Sequence, residues 1–205
     1  MTTLSVSSFR WAFLFLSGLL TFSPIGASAG MSPEEVKVFE DYQSKALLGD
    51  AASQYELGDC YHLGIGVRRD DSEAFSWYRR GAEKGNLKAQ WSMGWCYYYA
   101  IGVAKDYVQA VEWYRKAAEQ GYVMAQANLA ECYKKGIGVL KDEVEALAYY
   151  SLAAMTNDGA RMYRDLLEKE MSPAAREAGY KRAKELQKEI EAKIAAKKAG
   201  KQSGG

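Results

Sequence analysis

The chain has 205 residues, with 27 Lys+Arg against 26 Asp+Glu, so its formal charge of +1 gives no global electrostatic reason to bind nucleic acid. A single histidine excludes a His–His metal pair. Setting the first 29 residues aside leaves about 176, a length that suits one domain with a continuous core.

Residues 1–29 read as a secretory signal peptide. Arg10 precedes the apolar run Trp11–Leu20, Pro24 and Gly26 interrupt the chain after that run, and Ala27-Ser28-Ala29 supplies a small-x-small cleavage site. An apolar core of about ten residues falls short of the ~20 that span a bilayer as a helix. No cysteine stands at the cleavage site and no pair of arginines precedes the run. The expectation is an exported protein, periplasmic or secreted after cleavage near Ala29, with no integral membrane segment in the mature chain. Losing Arg10 brings the net charge to zero, but unevenly: Lys181–Lys201 holds eight basic and three acidic residues.

Ser32-Pro33-Glu34-Glu35 is an N-cap with proline at the first helical position. The helix it opens carries Val38, Tyr42 and Ala46 in register with Ala74, Tyr78 and Ala82, which makes residues 30–49 an N-terminal capping half-repeat. From residue 50 a period of 36 takes over. It aligns Cys60, Cys96 and Cys132; Gly66, Gly102 and Gly138; Asp70, Asp106 and Asp142; Ala74, Ala110 and Ala146. Trp77, Trp113 and Tyr149 share it, followed by Tyr78, Tyr114 and Tyr150. A fixed period of this length marks a repeat architecture, in which each unit buries its apolar face against its neighbours.

Each unit (50–85, 86–121, 122–157) reads as two helices. In the first, Ala51–Leu63 carries Gln54, Leu57, Gly58 and Tyr61 at helical spacing, Gly64-Ile65-Gly66 breaks it, and a second helix runs from about Asp71 to Lys84. Small residues at Gly58, Gly94 and Ala130 permit close approach within the hairpin. Each aspartate of the Asp70 column precedes Glu73, Gln109 or Glu145 by three residues, the capping-box spacing. Gly64-Ile65-Gly66 lacks the third glycine and preceding strand of a dinucleotide loop, so it reads as a helix-ending turn. The cysteines lie on the packed face. Equivalent helices of neighbouring repeats sit about 8–10 Å apart, while a disulfide needs Cα atoms within about 7 Å, so the thiols read as small buried hydrophobes. Spread along the stack, they do not form a zinc site, and no cofactor or metal is expected. Beyond the third unit, Ala160–Lys169 forms a short helix, and Ser172-Pro173 opens a long one to about Lys198; residues 159–199 are C-terminal capping helices. The later half of the long helix shows only the thin stripe Ala183, Leu186, Ile190 and Ile194, so it is expected to overhang the solenoid, with Gly200–Gly205 a disordered tail.

These residues resemble Sel-one-like repeats, a subclass of tetratricopeptide-like helical repeats. The pattern Ala-Gln-x-x-Leu-Gly-x-x-Tyr, Gly-x-Gly-Val-x-x-Asp, Ala-x-x-Trp-Tyr-x-x-Ala-Ala-x-x-Gly stands almost intact from Ala89 to Gly121, and with few changes from Ser53 to Gly85 and Ala125 to Asn157. The resemblance implies an all-α fold, a right-handed α-solenoid of three helix–turn–helix repeats with capping helices at both ends. It also implies an adaptor, regulator or scaffold rather than an enzyme, with the first helix of each hairpin lining the concave side. One secreted branch is associated with penicillin binding and weak β-lactam hydrolysis. Its repeats carry two cysteines, where this chain has one.

On the exposed face of the first helices the middle unit alone shows Trp91, Trp95, Tyr98 and Tyr99. Aligned with them are Tyr55, Asp59, His62 and Leu63 in the first unit, and Ala127, Glu131, Lys134 and Lys135 in the third. Each aromatic side chain buries ~150–250 Å² on contact, and aromatics with a polar edge populate binding hot spots. With Lys88, Asp59, Glu131, Lys134 and Lys135 around them, they read as a groove for a peptide or partner-protein segment. The opposing reading packs Trp91 and Trp95 beneath neighbouring repeats or the long C-terminal helix. An enzymatic rival would rest on Ser92 or on His62, the latter oriented by Asp59. A third reading uses the basic C-terminal helix, with its Leu186–Ile194 stripe, for assembly or weak envelope association.

Overall fold

The computed structural model describes residues 31–202, so the expected signal peptide lies outside the described residues, as do residues 203–205. Among the described residues there are nine helices and no strand: α1 (Pro33–Leu47), α2 (Ala51–Leu63), α3 (Asp71–Glu83), α4 (Leu87–Tyr99), α5 (Tyr107–Ala118), α6 (Val123–Lys135), α7 (Glu143–Ala153), α8 (Asp158–Glu170) and α9 (Pro173–Gln202). The pairs α2–α3, α4–α5 and α6–α7 are hairpins stacked in one all-α solenoid.

The helix starts follow the aspartate column. Asp70, Asp106 and Asp142 sit in extended backbone, and each side chain accepts from the next two free N–H groups, as Asp70 does from Ser72 and Glu73. The return half of the capping box forms at α1, where Ser32 and Glu35 exchange bonds. At α5 and α7 the third residue is drawn elsewhere: Gln109 donates to Glu112, and Glu145 receives Arg182 of α9 at 2.7 Å. Gly64 and Gly136 end α2 and α6 in the left-handed region, and in the middle repeat Ala100 takes that role at φ 61°.

Within each hairpin the small residue works as the spacing requires. A Cβ at Gly58 would meet the Tyr78 ring at 2.5 Å, and one at Gly94 the Tyr114 ring at 2.5 Å. Between hairpins the buried glutamine column supplies a tie: Gln54, Gln90 and Gln126 donate through Nε2 to the carbonyls of Ala46, Ala82 and Ala118 at 3.1, 3.2 and 3.3 Å. These bonds satisfy the buried amide nitrogens and the facing carbonyls, while Gln54 Oε1 is buried with no hydrogen-bond partner among the described residues. Cys60, Cys96 and Cys132 are free and buried, and burial pushes their thiols up to about 11, 12 and 12.

The loop glycines set the stacking. Gly66, Gly102 and Gly138 have φ of 67°, 66° and 68°, and a Cβ on any of them would collide with a backbone carbonyl at the start of an earlier helix: Glu35, Asp71 and Tyr107. Those three carbonyls are themselves 36 residues apart, so α1 occupies the place of a second helix, and among the described residues no first helix pairs with it. Its Ala46 is buried, whereas Val38 is 44% exposed against 0% for Ala74, because among the described residues no first helix precedes α1 to cover it.

α9 differs from expectation. Its stripe does not overhang: Ala183, Leu186 and Ile190 are buried, Leu186 to 3% exposure. Gly179 lies against Leu147 of α7, and Ile190 and Ile194 reach Gly121 in the α5–α6 turn. Arg182 joins Glu145 at 2.7 Å and Lys193 joins Glu119 at 2.7 Å. The stripe is thin, but it is matched to a seat on α7 and the α5–α6 turn, formed by Leu147 and Gly121 among others, which the local pattern of α9 does not display. The helix continues to Gln202, so residues 200–202 of the expected loose tail are helical.

Two alanine–glycine exchanges test this account. Gly102→Ala should lose at least ~2 kcal/mol, because a new methyl meets backbone that cannot swing aside. Ala100→Gly should gain about 1 kcal/mol by removing left-handed strain from a residue with a Cβ. Urea unfolding monitored by helical circular dichroism would read both, and equal small effects would refute the stacking role of Gly102.

Candidate functional site

The face shared by α2, α4 and α6 carries the candidate binding residues, because successive first helices touch one another along it. Lys88 at the start of α4 reaches back to α2, with Nζ 3.5 Å from Glu56 and 5.1 Å from the Tyr55 ring centroid. Tyr55 stacks at 5.9 Å on Tyr78. Trp91 reaches forward to α6: its indole N–H donates to Asn128 Oδ1 at 2.7 Å, and its ring meets Tyr122 edge-on at 6.2 Å. Trp91 is thus held between repeats, half-buried, and serves as a packing element more than as free surface.

The other three aromatics form a continuous run. The His62 ring meets Trp95 edge-on at 5.0 Å, Trp95 lies 5.8 Å from Tyr99, Tyr99 lies 4.8 Å from Tyr98, and Tyr98 lies 5.1 Å from Tyr107. Trp95 and Tyr98 are half-buried and Tyr99 is 55% exposed. α9 does not cover them; its contacts run along α7 and the turns at Gly121 and Gly85.

Several sequence expectations are corrected by this geometry. Asp59 does not orient His62. Its carboxylate accepts from the Tyr78 hydroxyl at 2.6 Å, while His62 Nδ1 pairs with Asp71 Oδ1 at 2.7 Å. Asp59 lies across the hairpin from α3, and the turn after α2 brings Asp71 beneath the imidazole instead. The Arg69 guanidinium, with His62 beside it, holds the Asp71 carboxyl below its ordinary range against the opposing effect of burial. Ser92 is only 3% exposed, on the packed side of α4, and is not presented to a ligand alongside His62. The Leu186–Ile190 stripe is already seated on this chain and is not a free face for another helix.

In the third repeat Glu131 accepts from the Tyr150 hydroxyl and from Lys135, each at 2.5 Å. Burial pushes its carboxyl up, but those bonds and the charges of Lys135 and Lys134 outweigh it and hold the group below its ordinary value. Lys134 pairs with Glu170 at 3.6 Å. The residues thus fall into two groups: Tyr55, Asp59, Lys88 and His62 on one side, and Tyr98, Tyr99, Glu131 and Lys135 on the other, bridged by Trp95. Lys134 turns away toward α8.

Tyr107, Asn128 and the hydroxyls of Tyr78, Tyr114 and Tyr150 belong to this face and escaped the sequence reading. One signal was present. Asp59 and Tyr78 are separated by 19 residues, and so are Glu131 and Tyr150; the same interval from Tyr114 leads back to Trp95. Accordingly the Tyr114 hydroxyl, buried in the middle hairpin, has no hydrogen-bond partner among the described residues. Burial, with the neighbouring Cys132, Tyr99 and Tyr98, raises its pKa, so it remains a neutral donor. Among the described residues no cluster of His, Cys, Asp and Glu is arranged to hold a metal ion, and no helix is long and apolar enough to cross a membrane.

Comparison with known families matches the family described as Sel1 repeat at residues 51–86, 87–122 and 123–158. Among solved structures, a protective antigen present in uropathogenic Escherichia coli strains and displaying an SLR fold is 31% identical, with a TM-score of 0.71 over 78% of this chain. The aligned part is 34% of that protein, so this chain spans about a third of its length. A Sel1 repeat protein from Oxalobacter formigenes is 40% identical, with a TM-score of 0.57, and covers 62% of this chain and 96% of its own. A search of curated proteins gives no match.

The three column tyrosines separate under mutation. Tyr78→Phe and Tyr150→Phe should each cost ~1–3 kcal/mol, because a partly buried carboxylate loses its donor. Tyr114→Phe should be neutral or stabilising, since it removes a donor that has no acceptor. Chemical denaturation of the three variants decides the point, and equal losses in all three would contradict the assigned bonding.

Proposed function

Because the chain belongs to the Sel1 repeat family, whose helical repeats generally mediate protein–protein interaction, we propose that it is an exported, non-catalytic module that holds a segment of a partner protein against the α2–α4–α6 face. Export rests on the signal-peptide features of residues 1–29. The observation that carries the binding reading is the Trp95–Tyr99–Tyr98 run, confined to the middle repeat, clear of α9 and ending in a tyrosine that is 55% exposed. The repeat pattern needs no aromatic at these positions, since the first and third repeats fold with Asp59, His62 and Leu63, or Glu131, Lys134 and Lys135, in their place. Rigid aromatic rings with a polar edge give large contact area at little entropic cost, which is what protein-binding hot spots use.

The surroundings fit a mixed-charge peptide. Lys88 and Glu56 border one side and Lys135 with Glu131 the other, so steering by a single sign of charge is not favoured. Non-catalytic action is supported by the burial of Ser92, which keeps that hydroxyl from serving as a nucleophile beside His62.

A photo-crosslinking residue in place of Tyr99 should trap a partner from the native extract, whereas the same residue in place of Met162, 54% exposed on α8, should not. Tyr99→Ala should weaken capture roughly thirtyfold, matching ~2 kcal/mol for a hot-spot ring. The same variant should change folding stability by no more than ~0.5 kcal/mol. Equal crosslinking at both positions, or undiminished capture by Tyr99→Ala, would sink the reading.

A further inference from the structure

The later turns of α9 leave a cleft where they pass the start of α4. Leu87, the first residue of α4, and Ile194 supply its apolar floor. Gln120, Lys193, Lys197 and Lys198 complete the lining around about 220 Å³. The α9 residues share one face of their helix, since Ile194 is followed three and four residues later by Lys197 and Lys198. Leu87 precedes Tyr98 by eleven residues, which places the cleft about 16 Å along α4 from the aromatic run.

Charge at the rim does not balance. Lys193 is paired with Glu119 at 2.7 Å. Lys197 donates to Gln120 Oε1 at 2.5 Å, an uncharged acceptor, while the Gln120 amide nitrogen is taken by Gln90 and the Lys116 carbonyl. Lys198 has no partner among the described residues. Three ammonium groups thus meet one carboxylate, which leaves the rim at +2. All three lysines are exposed, so an incoming ligand reaches them. The other acids close in sequence are turned elsewhere. Glu191 lines a separate cleft beside Met155 and Thr156, and Glu83 lies 4.0 Å from Arg79. The positive end of the α4 dipole, at Leu87, adds to the same sign.

We propose that this cleft docks the C-terminal residue of a partner chain, one with an apolar side chain such as leucine. The side chain lies on Leu87 and Ile194, and Lys197 and Lys198 receive the terminal carboxylate. Charge complementarity selects an anion. The cations flank the apolar floor so closely that the anion and the apolar group must belong to one residue, and a C-terminal residue carries both on a single Cα. A free amino acid would bring an ammonium group that the lysines repel. At ~30 Å³ for each water-sized group, the space holds about seven heavy atoms. That suits a leucine side chain with its carboxylate and is too little for an acyl chain of myristoyl length. The docking does not depend on the α2–α4–α6 face, because it uses the other end of α4 and none of the aromatic run.

Titrating the ¹⁵N-labelled full chain with N-acetylleucine presents a C-terminal residue by itself. Saturable amide shifts are expected at Leu87, Gln120, Ile194 and Lys198, with none at Tyr99. The dissociation constant should rise at least threefold in Lys198→Gln, which removes an unpaired charge and breaks no bond within the chain. It should rise at least tenfold when Lys197→Gln is added. N-acetylleucinamide lacks the carboxylate and N-acetylglycine lacks the apolar side chain, and each should bind at least tenfold more weakly. The absence of saturable shifts at these residues, or unchanged affinity in Lys198→Gln, would overturn the proposal. Equal affinity of either analogue would do the same, by removing the need for the charge or for the apolar group. Tighter binding of octanoate would move the source to an acyl chain. Tighter binding of N-acetylleucyl-isoglutamine, whose carboxylate is on a side chain, would move it to an acidic residue within a segment; either overturns it.

Discussion

The whole molecule depends on a contact between two stretches of backbone. The glycine at Gly66, Gly102 and Gly138 presses onto the start of an earlier helix so closely that no side-chain atom fits between them. Side chains can repack, but two main chains in contact cannot yield. The contact therefore fixes the rise and rotation from one hairpin to the next. The glutamine-to-carbonyl bonds and the Gly58 and Gly94 contacts then orient each hairpin on that frame. α1 offers its Glu35 carbonyl to Gly66 in the same way, so it seats the first hairpin as a second helix seats the next one.

A frame held by so few columns leaves the remaining positions free to differ. On the face where first helices meet, the outer repeats use acids that bind tyrosines across the hairpin. The middle repeat uses Trp95, which leaves Tyr114 without its counterpart and gathers aromatic rings beside it. The same repeat ends its first helix with Ala100 in left-handed backbone, where its neighbours have glycine. Departures from the repeat rule thus concentrate in one unit. The first and third repeats break single rules, a buried Gln54 Oε1 without a partner and an α6 start without a side-chain cap, but the middle repeat gathers its departures on the outer face.

Most of the fold was legible because a repeat states each structural demand three times. The Asp70 column and its capping role, the glycine turns, and the limits of α2 could be read from spacing alone. The half-repeat at α1 came from its register with Ala74, Tyr78 and Ala82. The seat of α9 was not legible. The stripe Ala183–Leu186–Ile190 is narrow, and what makes it sufficient is a complementary groove at Leu147 and Gly121, visible only once α7 and the α5–α6 turn are assembled. His62 fails for a related reason: Asp59 is its neighbour along the helix, but the turn returns Asp71 to the imidazole from nine residues away.

The sequence by itself determined the architecture, since period, cap and turn are local properties that each repeat must satisfy to stack at all. It also picked out the middle repeat as the unit that differs. Tertiary structure decided which of those differences face outward: it tied Trp91 to Asn128, left Tyr99 exposed, carried α9 along α7 and away from the aromatic run, and withheld an acceptor from Tyr114. Those outcomes depend on distances between residues far apart in the chain, and hydrogen bonds and buried area are set by such distances, not by spacing along the sequence.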